Sequence, residues 1–209
     1  MSNKVGNDAI REKEVLQGAE EEDSLILLCR DGDREAFNSL MLKYHRRVFN
    51  TALRMLGDYS QADEAAQDVF VRAYRGIQGF RQQSSFLTWL YAITVNIVRN
   101  KMKQNCRISR LNVSLDAAVD NGESSLRQEV PDRQSAAPDK ALLNKEKQIL
   151  IYKAIRSLDA DFRVVVVLRD MQMLSYEEIA QVLAVNIGTV KSRLFRARQM
   201  LQESLKDVI

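Results

Sequence analysis

The sequence is poor in the residues from which metal centres and catalytic sites are usually built. His45 is its only histidine, and its two cysteines, Cys29 and Cys106, are too far apart to match a metal-binding spacing. A zinc site and a histidine-based catalytic triad are therefore not expected, and no cofactor is predicted. So few cysteines also favour a reducing compartment, the cytoplasm.

Long hydrophobic runs are missing as well. No apolar stretch is long enough to span a bilayer, and residues 1–23 lack the apolar core of a signal peptide. Their seven acids and three bases, without a sustained apolar period, predict a mobile acidic tail. We also find no βαβ alternation, glycine-rich phosphate loop, pair of catalytic carboxylates or nucleophile with its base. The sequence therefore indicates neither an enzyme nor a small-molecule substrate.

Proline is scarce, and both prolines, Pro131 and Pro138, fall in one stretch. Residues 112–140 hold six acids and three bases, are rich in Ser, Ala and Gln, and keep no apolar period. Such a composition predicts a flexible acidic linker. The chain of 209 residues, with 45% hydrophobic and 28% charged residues, then divides into two small soluble domains over residues 24–111 and 141–209.

What the sequence has in abundance is helical periodicity. Apolar residues recur at helical spacing over residues 24–30, 37–55, 62–75, 86–105 and 141–158. Asp33 is predicted to cap the second of these helices. Ser60 and Asp63 are predicted to form a capping box for the third, with Tyr74 facing inward. Residues 161–171 include four consecutive valines, which favour a strand, but no partner strand is predicted, and we interpret them as helix. The fold class expected is all-α.

The last stretch of the chain has the pattern of a helix-turn-helix. Ser175 and Glu178 form a capping box, an apolar stripe follows to Leu183, and a second helix is predicted from Gly188. Its inner face carries Val190, Leu194, Ala197 and Leu201. Its outer face presents Lys191, Ser192, Arg193, Phe195, Arg196, Arg198 and Gln199. Residues 179–202 contain no acid, as expected of a surface that binds phosphates. The alternative is an ordinary helical hairpin with a solvated basic face.

A second acid-free stretch covers residues 82–115. Basic residues accumulate toward the end of its predicted helix: Arg99, Lys101, Lys103, Arg107 and Arg110. They complement the helix dipole, but five exceed what capping needs, and nearby rings suit stacking with single-stranded bases. The rings are Phe80, Phe86, Trp89 and Tyr91, of which Trp89 is predicted to pack in the core. One side of the helix is predicted to carry Trp89, Ile93, Asn96, Ile97 and Asn100. Asn96 would then lie in an apolar face and need a hydrogen-bond partner.

Four segments, in this order and at this separation, resemble the extracytoplasmic-function (ECF) sigma factors of bacterial RNA polymerase, particularly the sigma-E type. They are DGDREAFNSLMLKY, DEAAQDVFVRAYRGIQGF, SSFLTWLYAITVNIVRNK and LSYEEIAQVLAVNIGTVKSRLFRAR. The resemblance implies that residues 24–111 form sigma region 2 and residues 141–209 sigma region 4. It further implies a dissociable, non-catalytic subunit for promoter-specific transcription initiation, acting in an envelope or extracytoplasmic stress response.

The resemblance also implies three groups of site residues. The clamp coiled coil of the polymerase β′ subunit is contacted by Asp63, Glu64, Gln67, Asp68 and Arg72. The melted −10 strand is bound by Phe80, Arg81, Gln82, Gln83, Ser84, Asn96, Arg99, Lys101 and Lys103. The −35 duplex is bound by Lys191, Ser192, Arg193, Phe195, Arg196 and Arg198. Periodicity alone explains the charges of the first group as a solvated face, and only the resemblance favours docking.

Other implied partners are the polymerase β flap and an anti-sigma factor, usually membrane-anchored. The sequence departs from the family pattern at Gln82 and Gln83, where a glycine and an acid are common, and at Lys191, where arginine is common. A lysine offers a point charge instead of a bidentate fork, which predicts weaker base discrimination. Two other hypotheses are a stand-alone helix-turn-helix regulator and an interaction protein that does not bind DNA.

Overall fold

The computed structural model describes residues 20–113 and 138–206, and within those ranges the chain forms helices and no strand. The helices are α1 over residues 20–30, α2 Arg34–Leu56, α3 Tyr59–Gly76, α4 Phe86–Val113, α5 Pro138–Ser157, α6 Ala160–Val166, α7 Tyr176–Leu183 and α8 Ile187–Ser204. The predicted all-α class and the two helical domains, α1–α4 and α5–α8, are confirmed. Most of the predicted tail and linker lies outside the described residues, but residues 20–23 of the predicted tail already belong to α1.

Both ends of α2 follow from local hydrogen bonds. The Asp33 side chain accepts hydrogen bonds from the N–H groups of Glu35 (2.8 Å) and Ala36 (3.2 Å), as predicted. At the other end Gly57 adopts a left-handed conformation (φ 72°), which glycine tolerates without strain, and its N–H donates to Leu53 O (2.7 Å). The predicted apolar stripe is buried: Phe37, Leu40, Tyr44, Val48, Ala52 and Met55.

The capping box predicted at Ser60 and Asp63 is wrong. The N-cap of α3 is Asp58, whose side chain accepts a hydrogen bond from the N–H of Gln61 (2.8 Å). Asp58 has the extended backbone of an N-cap residue (φ −129°, ψ 128°), because Gly57 has just ended α2. Aspartate caps a helix as well as serine does, so α3 starts after the first suitable residue and Ser60 falls inside it.

Small residues bring α3 against the other helices of the first domain. Four alanines of α3 are fully buried, Ala62, Ala65, Ala66 and Ala73. Tyr74, predicted to face inward, is instead 42% exposed, and its ring meets Phe37 edge-on at 5.0 Å. A tyrosine at the edge of the core packs its ring while its hydroxyl stays hydrated.

The inner face of α4 is displaced from the predicted one, and the helix is longer than predicted. It ends at Val113 rather than near Asn105. Its buried residues are Phe86, Thr88, Leu90, Tyr91, Thr94, Val95, Ile97 and Val98. Asn96 and Asn100 are exposed, whereas Trp89 and Ile93 are partly buried. The row that contains the asparagines faces outward because a buried amide without a partner costs free energy. Asn96 therefore needs no partner inside the core.

The second domain begins with a proline-started helix. Pro138 is the first residue of α5, a position where its missing N–H leaves no helical hydrogen bond unmade. The four valines are helical, as predicted: α6 includes three of them, and Val167 opens a π-helical segment, Val167–Met171. Residues 164–168 are all 2% exposed or less, because they lie between α8 and the first domain.

The two domains pack against each other. α4 contacts α7, and α2 contacts α5 and the π-helical segment. Arg163 crosses this boundary, donating from Nη1 to Met55 O (2.7 Å) and from Nη2 to Leu158 O (2.9 Å). Burial lowers the pKa of Arg163, Arg156 acts in the same direction, and Asp159 opposes both. The guanidinium thus satisfies carbonyl groups near the ends of α2 and α5.

Candidate nucleic-acid and polymerase interfaces

Local hydrogen bonds define the turn of the helix-turn-helix. The Ser175 hydroxyl accepts from the Glu178 N–H (3.1 Å), and Glu178 Oε2 accepts from the Ser175 N–H (2.8 Å), which confirms the capping box. After α7, Ala184 takes a left-handed conformation (φ 51°). Asn186 then caps α8 by accepting from the Thr189 N–H (2.7 Å). α8 begins one residue earlier than predicted, and these contacts set the direction of its outer face.

Part of that outer face is free. Val190, Leu194 and Ala197 bury the inner face, as predicted. Five of the six predicted site residues are exposed; Arg198 is held in an ion pair, and the other four are Lys191, Ser192, Phe195 and Arg196. They form one strip, which we call the α8 strip, because residues four apart are neighbours on a helix. Phe195 is 64% exposed, so its ring is available to a binding partner.

Arg193 and Arg198 are held by acids from elsewhere in the second domain. Arg193 Nη2 lies 2.8 Å from Asp161 Oδ2, and Arg198 forms an ion pair with Asp170, with its Nε 3.3 Å from Oδ2. The hydrogen bond to Asp170 raises the pKa of Arg198. The acid-free stretch of residues 179–202 therefore does not form an acid-free surface, because α6 and the π-helical segment bring carboxylates to it.

The basic end of α4 shows the same pairing. Arg99 Nη2 lies 2.7 Å from Asp161 Oδ1, and Lys101 Nζ lies 2.8 Å from Glu64 Oε2 of α3. Lys103 is exposed, as is Asn96 nearer the helix start. Arg99 Nε is buried and has no hydrogen-bond partner within the described ranges. Two cations of the acid-free stretch, Arg99 and Lys101, thus form ion pairs with acids that belong to other helices.

The rings proposed for base stacking lie mostly in the core. Phe80 is 5% exposed and packs on Phe86 and Trp89, with ring centroids 5.8 and 5.0 Å away. Phe86 and Tyr91 are buried further, at 2% and 1% exposure. Trp89 is partly buried, consistent with its predicted core position. The Phe80 ring is therefore not available to stack with an unstacked base. It packs in the core and anchors the start of the loop.

The loop over residues 80–85 points its polar residues outward. Arg81, Gln82 and Gln83 are exposed, and Ser84 is half-buried. Gln82 stands where the family pattern has glycine, and its backbone is left-handed (φ 53°), the conformation that glycine favours. Its side-chain amide donates to Asp23 Oδ1 (3.2 Å) of α1.

The outer face of α3 carries the residues predicted for polymerase docking. Glu64, Gln67, Asp68 and Arg72 are exposed, and Asp63 is half-buried and accepts from Gln67 Nε2 (2.9 Å). Sequence reasoning missed two apolar residues on this side, Val71 (48% exposed) and Tyr74. Val71 is the third apolar residue in succession after two buried ones. A helix with one buried face cannot bury three consecutive residues. The sequence therefore already indicated that one of these three is exposed.

Known proteins match the chain along nearly its whole length. The family described as Sigma-70 region 2 matches residues 40–108, and the one described as Sigma-70, region 4 matches residues 148–201. The RNA polymerase sigma-H factor of Pseudomonas aeruginosa is 34% identical over 192 residues, which cover 91% of this chain and 96% of the relative. The ECF RNA polymerase sigma-E factor of Escherichia coli K12 is 32% identical over 186 residues, 88% of this chain and 94% of the relative. The chain belongs to the ECF sigma factors.

Two solved structures share the fold of this sigma factor. One is the sigma factor RpoE in complex with the anti-sigma factor NepR from Bartonella quintana, with a TM-score of 0.60 and 24% identity. The match covers 83% of this chain and 98% of the chain in that structure. The other is CnrH in complex with the cytosolic domain of CnrY, with a TM-score of 0.61 and 23% identity. The match covers 90% of this chain and 99% of the CnrH structure's chain.

As an ECF sigma factor, the protein is a subunit for transcription initiation by RNA polymerase, in a family whose members are not enzymes. Nothing in the comparisons favours a stand-alone regulator. In the part of the chain that the structure describes, no helix is long and apolar enough to cross a membrane. The same part contains no group of three or more His, Cys, Asp or Glu residues that could hold a metal ion.

Proposed function

We propose that this sigma factor directs RNA polymerase to its promoters by holding the −35 duplex on α8 and the melted −10 strand on the loop 80–85 and α4. The observation that carries the proposal is the exposed α8 strip on a helix-turn-helix whose two helices are both capped at their N-termini. The chain supplies binding and positioning without chemistry of its own, and the polymerase supplies catalysis.

The α8 strip offers the groups that read base edges in a major groove. The Arg196 guanidinium can donate two parallel hydrogen bonds to guanine, and the Phe195 ring can contact a thymine methyl group. Lys191, whose Nζ lies 5.7 Å from the centroid of the Tyr176 ring, adds a point charge. Ser192, exposed beside it, adds a hydroxyl. Arg193 and Arg198 are proposed to reach phosphates after exchanging their carboxylate partners for phosphate oxygens.

The −10 strand is proposed to meet an amide-rich surface. Asn96, exposed on α4, and the exposed loop residues Arg81, Gln82 and Gln83 offer donors and acceptors to unstacked bases. Arg99, Lys101 and Lys103 follow the strand's phosphates, while Phe80 and Ser84 hold the loop. Because Gln82 keeps a glycine-like backbone while adding an amide, we expect it to change base preference rather than the course of the loop.

The outer face of α3 is proposed to dock on the clamp coiled coil of the β′ subunit. Its charged and amide residues are Asp63, Glu64, Gln67, Asp68 and Arg72. Val71 and Tyr74 add exposed apolar surface to the same side, and interfaces favour such a mixture of apolar anchors and polar rim. The Lys101–Glu64 ion pair joins this face to the proposed −10 surface.

The proposal also covers the domain boundaries, the compartment and the other partners of the protein. Region 2 spans residues 24–111 and region 4 residues 141–209, with the acidic linker 112–140 passing toward the RNA exit channel and region 4 meeting the β flap. The protein works in the cytoplasm without a cofactor. A membrane-anchored anti-sigma factor is a proposed partner, and the fold neighbour solved with the anti-sigma factor NepR supports an anti-sigma partner. The ECF name of the sigma-E relative supports a role in extracytoplasmic stress.

Run-off transcription with core polymerase over a promoter library tests the proposal. We expect initiation from a subset of promoters that share −35 and −10 sequences, and co-elution of the chain with core polymerase in gel filtration. Initiation no higher than with core alone would refute it. A dimer that binds a palindromic duplex tightly without core would instead favour a stand-alone regulator.

A further inference from the structure

The first helix, α1, reaches the loop over residues 80–85, which the proposed function places at the melted −10 strand. The side-chain amide of Gln82 donates from Nε2 to Asp23 Oδ1 (3.2 Å), although Asp23 lies 59 residues earlier in the sequence. Both residues are exposed, so the contact lies on the surface proposed for the −10 bases. The tip of the loop is therefore tied to a helix that none of the proposed sites includes.

The neighbouring residue of α1 supports the base of the same loop. Glu22 accepts a hydrogen bond from the Tyr44 hydroxyl and forms an ion pair with Lys43. The Tyr44 ring lies 5.6 Å from the ring of Phe86, which packs on Phe80 at the start of the loop. Burial and the hydrogen bond to Glu22 raise the pKa of Tyr44, so its hydroxyl stays protonated and can donate. Two consecutive acids of α1 thus support the loop at its base and at its tip.

Gln82 needs such support because of its backbone conformation. Its φ of 53° is left-handed, which is unfavourable for a glutamine. Strained conformations of this kind persist only where the surrounding structure holds them. Glycine, which the family pattern has at this position, adopts the same conformation without strain. The hydrogen bond to Asp23 therefore offsets a cost that glycine would not have.

The same contact fixes the direction in which the Gln82 amide faces. A carboxylate only accepts hydrogen bonds, so the NH2 group of the amide must point to Asp23. The carbonyl oxygen of the amide, Oε1, has no hydrogen-bond partner within residues 20–113 and 138–206 and is free to accept one. Adenine, cytosine and guanine carry an exocyclic amino group that can donate to this oxygen, whereas thymine carries none.

We propose that Asp23 is a positioning residue for −10 recognition. Through Gln82 it holds the loop and directs an acceptor toward the DNA, so that the loop prefers a base with an exocyclic amino group over thymine. The inference deepens the proposed function and rests on it, since it takes the loop as a −10 contact. Asp23 acts through Gln82 and not by touching a base, and α1 becomes a supporting part of the −10 site.

The test uses holoenzyme with the full-length Asp23→Ala variant. Its ligands are fluorescent single-stranded −10 oligonucleotides that carry each of the four bases at each position. At the position read by Gln82, we expect the wild type to bind an amino-bearing base more tightly than thymine. Asp23→Ala should reduce that ratio of affinities about two- to fivefold, the contribution of one exposed hydrogen bond. Its affinity for a −35 duplex should not change.

Three further variants separate the hydrogen bond from the charge and from the helix. Asp23→Asn keeps an oxygen acceptor and should retain most of the wild-type ratio. Glu21→Ala removes another exposed acid of α1, one without an ion pair to any residue that the structure describes, and should leave the ratio unchanged. In a Gln82→Gly background, Asp23→Ala should have no further effect, because the contact and the strain are both gone.

A wild-type ratio at every position in Asp23→Ala would overturn the inference, as would an equal change in Glu21→Ala. An effect of Asp23→Ala that persists in the Gln82→Gly background, or an Asp23→Asn protein that behaves like Asp23→Ala, would overturn it as well. If wild-type holoenzyme neither binds the −10 strand selectively nor initiates transcription, the proposed function fails instead. Hydrogen exchange at amides 81–84 of the free chain then tests the support from α1 by itself: faster exchange in Asp23→Ala confirms it, and equal rates refute it.

Discussion

The role of each basic residue depends on whether an acid already holds it. Arg196 and Arg193 are three residues apart on α8, but Arg193 is paired with Asp161, whereas Arg196 is exposed and takes part in none of the ion pairs found among the described residues. A cation that must first break an ion pair with a carboxylate gains less binding free energy from a phosphate than an unpaired cation does. We therefore propose Arg196 as the residue that reads a base.

Changing Arg196 to Ala should weaken binding of the −35 duplex by about 1–3 kcal/mol, the usual contribution of a bidentate base contact. Fluorescence anisotropy with holoenzyme and a −35 duplex measures the loss. Arg34→Ala, which removes an exposed arginine at the start of α2, is the matched control and should leave the affinity unchanged. Unchanged promoter occupancy in Arg196→Ala would refute the base contact.

Asn96 allows a prediction about promoter opening. Because its amide is exposed on α4, Asn96→Ala should reduce capture of an unstacked base while leaving duplex binding and the fold intact. Permanganate footprinting of the −10 region should show less opening at equal promoter occupancy. Asn100→Ala, which alters another exposed asparagine one turn later, serves as control. Equal opening in wild type and Asn96→Ala would contradict the role.

Individual helices are defined by their ends. Asp33, Asp58, Ser175 and Asn186 each cap a helix through a side-chain oxygen and a backbone N–H three or fewer residues away. The helix-turn-helix depends on two such caps, so its geometry is set within a short segment. Capping is therefore the interaction through which a single substitution would most directly disturb the orientation of α8.

Changing Ser175 to Ala should lower the free energy of unfolding by about 0.5–2 kcal/mol, because the Glu178 N–H loses its acceptor at the start of α7. Chemical denaturation measures the change. Ser175→Thr keeps a hydroxyl and should recover most of the stability. A Ser175→Ala protein as stable as the wild type would show that α7 is held by packing alone.

The whole molecule separates its proposed partners between helices. α3 presents acidic and apolar residues outward, while α4 and α8 enclose a cationic cleft between the domains. The proposed docking face for the polymerase therefore lies on a different helix from the proposed DNA surfaces. This division predicts that the docking face can be altered without altering DNA contacts.

Reversing the charge of Asp68, as Asp68→Arg, should weaken the affinity for core polymerase roughly tenfold, since a like charge would face the docking site. Titration of labelled core polymerase measures the affinity, and duplex binding by the free chain should not change. Glu35→Arg, which reverses another exposed acid in the first turn of α2, is the control. Equal affinities for Asp68→Arg and wild type would exclude Asp68 from the interface.

The sequence by itself determined the features that arise within a few residues. The caps at Asp33 and at Ser175 with Glu178, the helical state of the four valines and the buried stripe of α8 were all predicted, because each depends on hydrogen bonds or periodicity over one or two helical turns. The family likewise follows from ordered local segments. The N-cap of α3 was misplaced because Asp58 and Ser60, two residues apart, are both good N-cap residues.

Only the tertiary structure decided which faces are buried and which charges are free. Two rows of α4 are apolar, and packing against the other helices selected the one without Asn96. Asp161 is 62 residues from Arg99 in sequence, yet they share an ion pair. A count of acids within a segment cannot detect such a partner, because electrostatic interaction depends on distance in space and not on separation along the chain.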